Sequence, residues 1–403
     1  MLELDVEAVA HGGFCVARHE GQVVFVRHAL PGERVRARVT ETAKRYLRAD
    51  CVEVLVAAPE RVEPPCPYAG PGLCGGCDWQ HASLPAQREL KAAVVAEQLQ
   101  RLAGVDVPVR VEEVPGAPDG LGWRTRVRFA VDGEGRPGFR AHRSHEVVPV
   151  AACAIAHPAV ESLGVEQRTW PHVREVTAVG SADTGETLLE TTPGKGSRHR
   201  VQERAAGRTW QVTGSGFWQV HPGAADALAD AVLAALEPEP GESALDLYAG
   251  VGLFSGVLAE RLGPGGRVTA IEHARQTAAD ARHNLADLPT VQVHQGDVLA
   301  VLRRLRLRRA DLVVLDPPRT GAGRDVVDAL ARTRTRRVAY VSCDPATLAR
   351  DIGYFAGHGW HLTGLRAFDL FPMTQHVECL AVLEPGSPQG ARGRRDDRVG
   401  NLP

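Results

Sequence analysis

Two residues stand where a nucleophile and a base would be wanted. Cys343 lies in RVAYVSCDPATLARD, directly after an apolar run and before a helix that Asp344 is placed to cap. A thiol at a helix N-terminus has its pKa lowered and gains nucleophilicity. Cysteine is also a common core residue, so Cys343 taken alone reads first as packing. Glu378, in FPMTQHVECLAVL, opens an otherwise apolar strand. A desolvated carboxylate there is a base, and solvation at a strand edge explains it equally well. A third group is sulfur-rich: Cys66, Cys74 and Cys77 sit at Cys-x7-Cys-x2-Cys, with Cys153 of VPVAACAIAHP as the fourth thiol. Structural zinc and an iron–sulfur cluster both use four thiolates, and spacing leaves both open. Cys15, Cys51 and Cys379 read as core thiols.

A cofactor site is written between these groups. In SALDLYAGVGLFSGVLAERL an apolar strand ends at Asp246, and a Gly250-Val251-Gly252 turn opens a helix. Glycine lets backbone approach a ligand at the carboxyl edge of a parallel sheet. Position 255 is Ser, so this is not the dinucleotide GxGxxG. Three more strands end in acids: RVTAIE in Glu272, VQVHQGD in Asp297 and ADLVVLDPPR in Asp316. Glu272 is placed for ribose hydroxyls, and Asp297 lies where an adenine would be. Any one acid could cap the next helix; four strands in register point to a nucleoside cofactor.

The elements that position these groups follow from patterning. Residues 1–57 alternate apolar and polar between Gly and Pro turns, which predicts a small OB-like β-barrel. Arg34, Arg36, Arg38, Lys44, Arg45 and Arg48 give it local positive charge, readable as an RNA face or as a solvated strand face. Residues 58–214 form a central, mainly antiparallel β region carrying the cysteines, with a helix over 84–103. Residues 215–385 alternate helix and strand as a parallel α/β unit, and 386–403 read as a disordered tail. The 403 residues suggest two or three domains. With 44% hydrophobic and 24% charged residues, short broken apolar runs and no leader-like N-terminus, the chain is expected to be cytoplasmic, with no membrane contact. A net charge of -2 requires any nucleic-acid surface to be local.

From Cys66 onward the chain resembles the RNA 5-methyluridine (uracil-C5) methyltransferases. The matching stretches are CPYAGPGLCGGCDWQH, FWQVHP, DLYAGVGLF, LDPPR, SCDPATLARD and FPMTQHVE. The front end resembles the TRAM domain, an RNA-binding barrel on one branch of that family. The resemblance implies a class I (Rossmann-like) methyltransferase domain using S-adenosylmethionine. It makes Cys343 the nucleophile toward carbon 6 of a uracil, Glu378 the base that removes the carbon 5 proton, and Asp316 the partner of the uracil edge. Gln219, Tyr248, Gly250, Gly252, Glu272, Asp297 and Asp316 would line the cofactor pocket. Cys66, Cys74, Cys77 and Cys153 would hold a [4Fe-4S] cluster, with zinc as the alternative, since the first cysteine gap is longer than in the best-known members. Leu253 stands where relatives often carry a polar residue.

The expected substrate is structured RNA, ribosomal favoured over transfer RNA, and the expected state a monomer. Transfer to an amino nitrogen is the first alternative; the aromatic residue that ends the Asp-Pro-Pro motif of such enzymes is replaced by Arg319. A non-catalytic RNA-binding or folding factor is the second, opposed by the coexistence of Asp316, Cys343 and Glu378.

Overall fold

The computed structural model describes residues 1–386; all of the tail predicted at 386–403 except Gly386 lies outside the described residues. Strands β1 to β5 (Leu2–Ala10, Phe14–His19, Gln22–Arg27, Arg34–Thr42, Tyr46–Val56) close into a barrel of order β1-β2-β3-β5-β4. Closure leaves no exposed edge. Alternation turns Leu4, Val6, Val24, Val26, Val35 and Ala37 inward. The β3–β5 pairing is parallel and the other four are antiparallel.

Helix α1 (Leu84–Ala103) is followed by a short strand β6 (Val111–Glu113). Strands β7 to β11 (Arg126–Val131, Pro137–Arg140, Val147–Pro149, Glu175–Gly180, Thr187–Thr192) form an antiparallel sheet of order β11-β10-β7-β8-β9, with helix α2 (Pro158–Glu161) on it. The expected single antiparallel region stops there. Strands β12 (Arg200–Ala205) and β13 (Arg208–Thr213) form a separate hairpin. Its buried face, Ala205, Trp210 and Val212, joins the α/β core instead. Burying a tryptophan is worth more than keeping the sheet continuous.

The remaining chain is α3 (Ala224–Leu236), β14 (Ser243–Leu247), α4 (Leu253–Leu262), β15 (Arg267–Glu272), α5 (Arg275–Asn284), β16 (Val291–Gln295), α6 (Val298–Leu305), β17 (Leu312–Leu315), α7 (Arg324–Ala331), β18 (Arg337–Ser342), α8 (Pro345–Ala356), β19 (Trp360–Asp369) and β20 (Glu378–Pro385). The sheet order is β16-β15-β14-β17-β18-β20-β19-β6. Its first five strands are parallel, and β20 runs antiparallel to both neighbours. Strand order reverses at β14, which pairs β15 on one side and β17 on the other; such a switch point opens a crevice at the strands' carboxyl ends. Both faces are covered, so the central strands are apolar throughout, as in LVVL of β17. Helix α1 packs on α8, and β6 adds an edge strand beside β19. Among the described residues, no helix is long and apolar enough to cross a membrane.

Candidate active site

The crevice beside β14 is shaped by backbone. Tyr248 takes a left-handed φ of 65°, Gly250 57° and Gly252 99° as the chain turns from β14 into α4. A Cβ on Gly252 would lie 2.7 Å from Leu285 Cδ1, so glycine is demanded by φ and by space. Glu272 accepts from the Gly250 N–H at 3.0 Å and the Ala274 N–H at 2.7 Å, which fixes its carboxylate at the end of β15. Asp246 is fully buried; Oδ2 accepts from Ser255 Oγ at 2.6 Å, and Oδ1 has no partner. Burial raises its carboxyl to about 7. An orphaned buried oxygen beside a glycine-lined turn suits a nucleoside ligand with a donor to spare.

The other expected pocket residues divide. Gln219 follows buried Trp218, and the next residue, Val220, is pinned through its carbonyl by Thr125 N and Oγ1. Leu253 begins α4 and is buried in the core. Asp297 lies beyond the end of β16 and caps α6, accepting from Ala300 N at 2.9 Å. Its capping role is therefore real, with one carboxylate oxygen engaged.

The residues expected to react lie at the next strand ends. The β18–β20 ladder pairs Val338 with Leu383 and Ser342 with Cys379; carried one residue further, the register sets Cys343 opposite Glu378. Asp316 directly follows β17, whose Leu315 pairs with Tyr340 of β18. Glu378 is 4% exposed, which removes strand-edge solvation as its explanation. Burial and the neighbouring Asp316 raise its carboxyl well above the ordinary value, and burial with Asp246 raises Asp316.

The expected lowering of the Cys343 pKa is not found. Asp344 caps α8 as anticipated, its side chain accepting from Thr347 N at 2.8 Å. Yet burial, followed by the Glu378 and Asp316 carboxylates, pushes the thiol up to about 12, with Arg319 opposing. A helix dipole is worth less than desolvation plus two nearby negative groups.

His376, Lys91 and Gln87, which neighbour or brace this site, were not singled out in the sequence. Arg319 Nη2 lies 3.3 Å from His376 Nε2, and burial and nearby cations lower that imidazole to about 4. The 371–377 loop bearing His376 is braced by α1. Fully buried Lys91 donates to Asp369 Oδ1 at 2.5 Å and to the Phe371 carbonyl at 3.0 Å, while Gln87 accepts from Met373 N at 2.7 Å. A charged residue inside a helical stripe is a signal; its distant partner is not legible in sequence.

Cys66, Cys74, Cys77 and Cys153 all line one small cavity of about 20 Å³, whose walls include Phe139, Val150 and Ile155. All four are free thiols. Burial raises Cys74 and Cys77, and takes Cys153 to about 11. Among the described residues, no group of three or more His, Cys, Asp and Glu is gathered to hold a metal ion. The donor set suits soft metal chemistry.

Comparison with known proteins follows this division. The TRAM domain model matches residues 1–52, and the tRNA (uracil-5-)-methyltransferase model matches residues 201–385. An uncharacterized RNA methyltransferase of Streptomyces avermitilis is 51% identical across 96% of this chain and 98% of its own. The 23S rRNA (uracil(1939)-C(5))-methyltransferase of Halomonas elongata is 33% identical, covering 98% of this chain and 92% of that one. The Pyrococcus abyssi tRNA (uracil-54, C5)-methyltransferase, solved with S-adenosyl-L-homocysteine, superposes with a TM-score of 0.71 at 23% identity, over 94% of this chain and 99% of that one. At that identity the likeness is one of fold.

Proposed function

This chain belongs to the tRNA (uracil-5-)-methyltransferase family of S-adenosylmethionine-dependent RNA methyltransferases, with a TRAM domain at its front, and on that premise we propose that it methylates carbon 5 of a uridine in ribosomal RNA through a covalent Cys343–uracil adduct. The observation that carries the mechanism is the apposition of Cys343 and Glu378 across β18 and β20, with Asp316 at the adjacent strand end. Ribosomal RNA is favoured over transfer RNA because the Halomonas enzyme, whose name specifies 23S rRNA, aligns over nearly the whole of both chains.

S-adenosylmethionine, when bound in the β14 crevice, supplies an electrophilic methyl group. Glu272, held by two backbone N–H groups, is oriented to take ribose hydroxyls, and the Gly250–Gly252 turn lets the chain pass close beneath. Gln219, Tyr248, Asp297 and Asp316 complete the proposed lining.

Carbon 5 of uracil is a weak nucleophile until carbon 6 is attacked. Cys343 loses its proton, an ionisation that Arg319 favours, and its sulfur forms a bond to carbon 6. The electron pair displaced from the carbon 5–carbon 6 double bond makes carbon 5 enolate-like and able to take the methyl group, whose bond to the sulfonium would break to leave S-adenosylhomocysteine. Glu378 then removes the carbon 5 proton, the double bond re-forms, and the carbon–sulfur bond breaks to return Cys343. One proton is released overall. Asp316 pairs with the polar edge of the extruded base. A carboxylate whose pKa is raised is a stronger base once ionised, which suits Glu378 to this step.

For the cysteine ring we propose a [4Fe-4S] cluster on Cys66, Cys74, Cys77 and Cys153 instead of zinc. The four thiols line one small cavity, a donor set open to either group, and the family resemblance favours the cluster. The cluster would fasten the 66–77 loop to the 150–155 segment; the two-electron methyl transfer needs no redox centre. The proposed setting is a cytoplasmic monomer.

The deciding experiment is nucleoside mass spectrometry of ribosomal and transfer RNA incubated with protein and labelled S-adenosylmethionine. Label in 5-methyluridine, lost in Cys343→Ala and trapped as a denaturation-resistant adduct in Glu378→Gln, is the expected result. Label on an amino nitrogen, or full activity without Cys343, would refute the mechanism.

A further inference from the structure

The barrel reaches into the catalytic site. The turn between β1 and β2, His11-Gly12-Gly13, touches both flanks of the Cys343–Glu378 apposition. On one flank His11 Nε2 lies 3.3 Å from Asp344 Oδ2, the oxygen left free when Oδ1 caps α8. Asp344 is bonded to Cys343 in sequence, so this contact bears on the nucleophile's own backbone. On the other flank Gly13 is wedged against the loop leading to Glu378. A Cβ there, at φ +81°, would come within 3.1 Å of Asp78 Cγ and of Gln375 Cβ and Cγ. Asp78 clamps that flank: Oδ2 accepts from Gln375 N at 3.3 Å, and Oδ1 faces Arg27 Nη2 of the barrel at 3.4 Å. Arg27 and Asp78 are nearly buried, so this clamp is internal structure.

We propose that His11 is a positioning residue for the methyl transfer, holding Asp344 and thereby seating Cys343, so that the barrel forms a wall of the active site in addition to any grip on RNA. The proposal rests on the reading of Cys343 as nucleophile. Its physical basis is twofold. Cys343 is surrounded by the carboxylates of Glu378, Asp316 and Asp344, each of which opposes a thiolate, and a protonated His11, at 3.3 Å, would meet the third. The same contact fixes the first turn of α8, whose orientation aims the sulfur at carbon 6. The groups facing His11 are Asp344 and, from α1, Glu97.

The test is single-turnover adduct formation with S-adenosylmethionine and 5-fluorouridine transcripts of 23S ribosomal RNA and of transfer RNA. Fluorine at carbon 5 cannot leave as a proton does, so the adduct accumulates. His11→Ala is expected to slow adduct formation about tenfold or more while RNA affinity changes less than about threefold. His11→Lys, which restores a cation, is expected to recover most of the rate. Unfolding midpoints should match wild type, since His11 is a half-exposed turn residue. A His11→Ala rate equal to wild type, a loss lying wholly in RNA affinity, or a His11→Lys protein no better than His11→Ala overturns the proposal. A wild-type protein forming no Cys343-dependent adduct with either transcript overturns the catalytic reading itself, which separates the two failures.

Discussion

Cys343 follows Ser342 and Glu378 precedes Cys379, the pair that ends the β18–β20 ladder, and Glu378 is the larger charge-based reason, after burial, that the Cys343 thiol is raised to about 12. At neutral pH Cys343 is therefore expected to rest as a thiol, which slows its alkylation and oxidation. Substrate has to change the balance.

The resting thiol can be read directly. Below its pKa, thiolate grows about tenfold per pH unit. Iodoacetamide labelling of Cys343, followed by peptide mass spectrometry, should climb without plateau from pH 7 to beyond pH 9 in the absence of RNA. Glu378→Gln removes one opposing carboxylate and should label faster at the alkaline end, where Glu378 is ionised. A plateau near neutrality would mean that the helix dipole prevails after all.

Lys91 and Asp369 are an ion pair with no access to water, 278 residues apart. Removing one partner strands the other charge, at a cost of about 3–5 kcal/mol. Lys91→Met should lower the thermal midpoint sharply, while Lys91→Met with Asp369→Leu recovers much of the loss. Equal midpoints for the single and double variants would show that the pair is not coupled.

Asp246 sets a pH dependence whose sign is fixed. Its folded pKa of about 7 exceeds the ordinary 3.8, so the folded protein holds more protons than the unfolded chain between those values. The stability this contributes is complete below about pH 4 and is lost as pH rises through 7. Asp246→Asn mimics the protonated acid and keeps an acceptor for Ser255. Calorimetry should find variant and wild type similar at pH 5, with the variant several degrees more stable at pH 8. A pH-independent difference would contradict this account.

Gly252 should tolerate no side chain. Gly252→Ala forces a φ of 99° on an L-residue and drives a methyl into Leu285. Titration calorimetry should show S-adenosylhomocysteine affinity falling about tenfold or more with the protein still folded. Unchanged affinity would place the cofactor elsewhere along the strand ends.

Much of this protein was written locally. Alternation in 1–57 dictated barrel strands, and the apolar runs ending near Asp246, Glu272, Asp297 and Asp316 dictated a sheet with polar carboxyl ends, because period and strand termination are short-range properties. Residue chemistry left Cys343 readable as packing and Glu378 as a solvated strand edge, and the family resemblance carried by SCDPATLARD and FPMTQHVE made them the expected nucleophile and base. Only the tertiary structure decided how these groups behave. The sheet order put β20 beside β18 and so brought Glu378 to Cys343, which raised the thiol where sequence suggested lowering. It also joined Trp210 to the α/β core, brought Cys153 to the cavity lined by Cys66, Cys74 and Cys77, and brought His11 to Asp344. Desolvation and Coulomb interaction depend on which distant atoms become neighbours, and that information resides in the packing of the chain, not in any window along it.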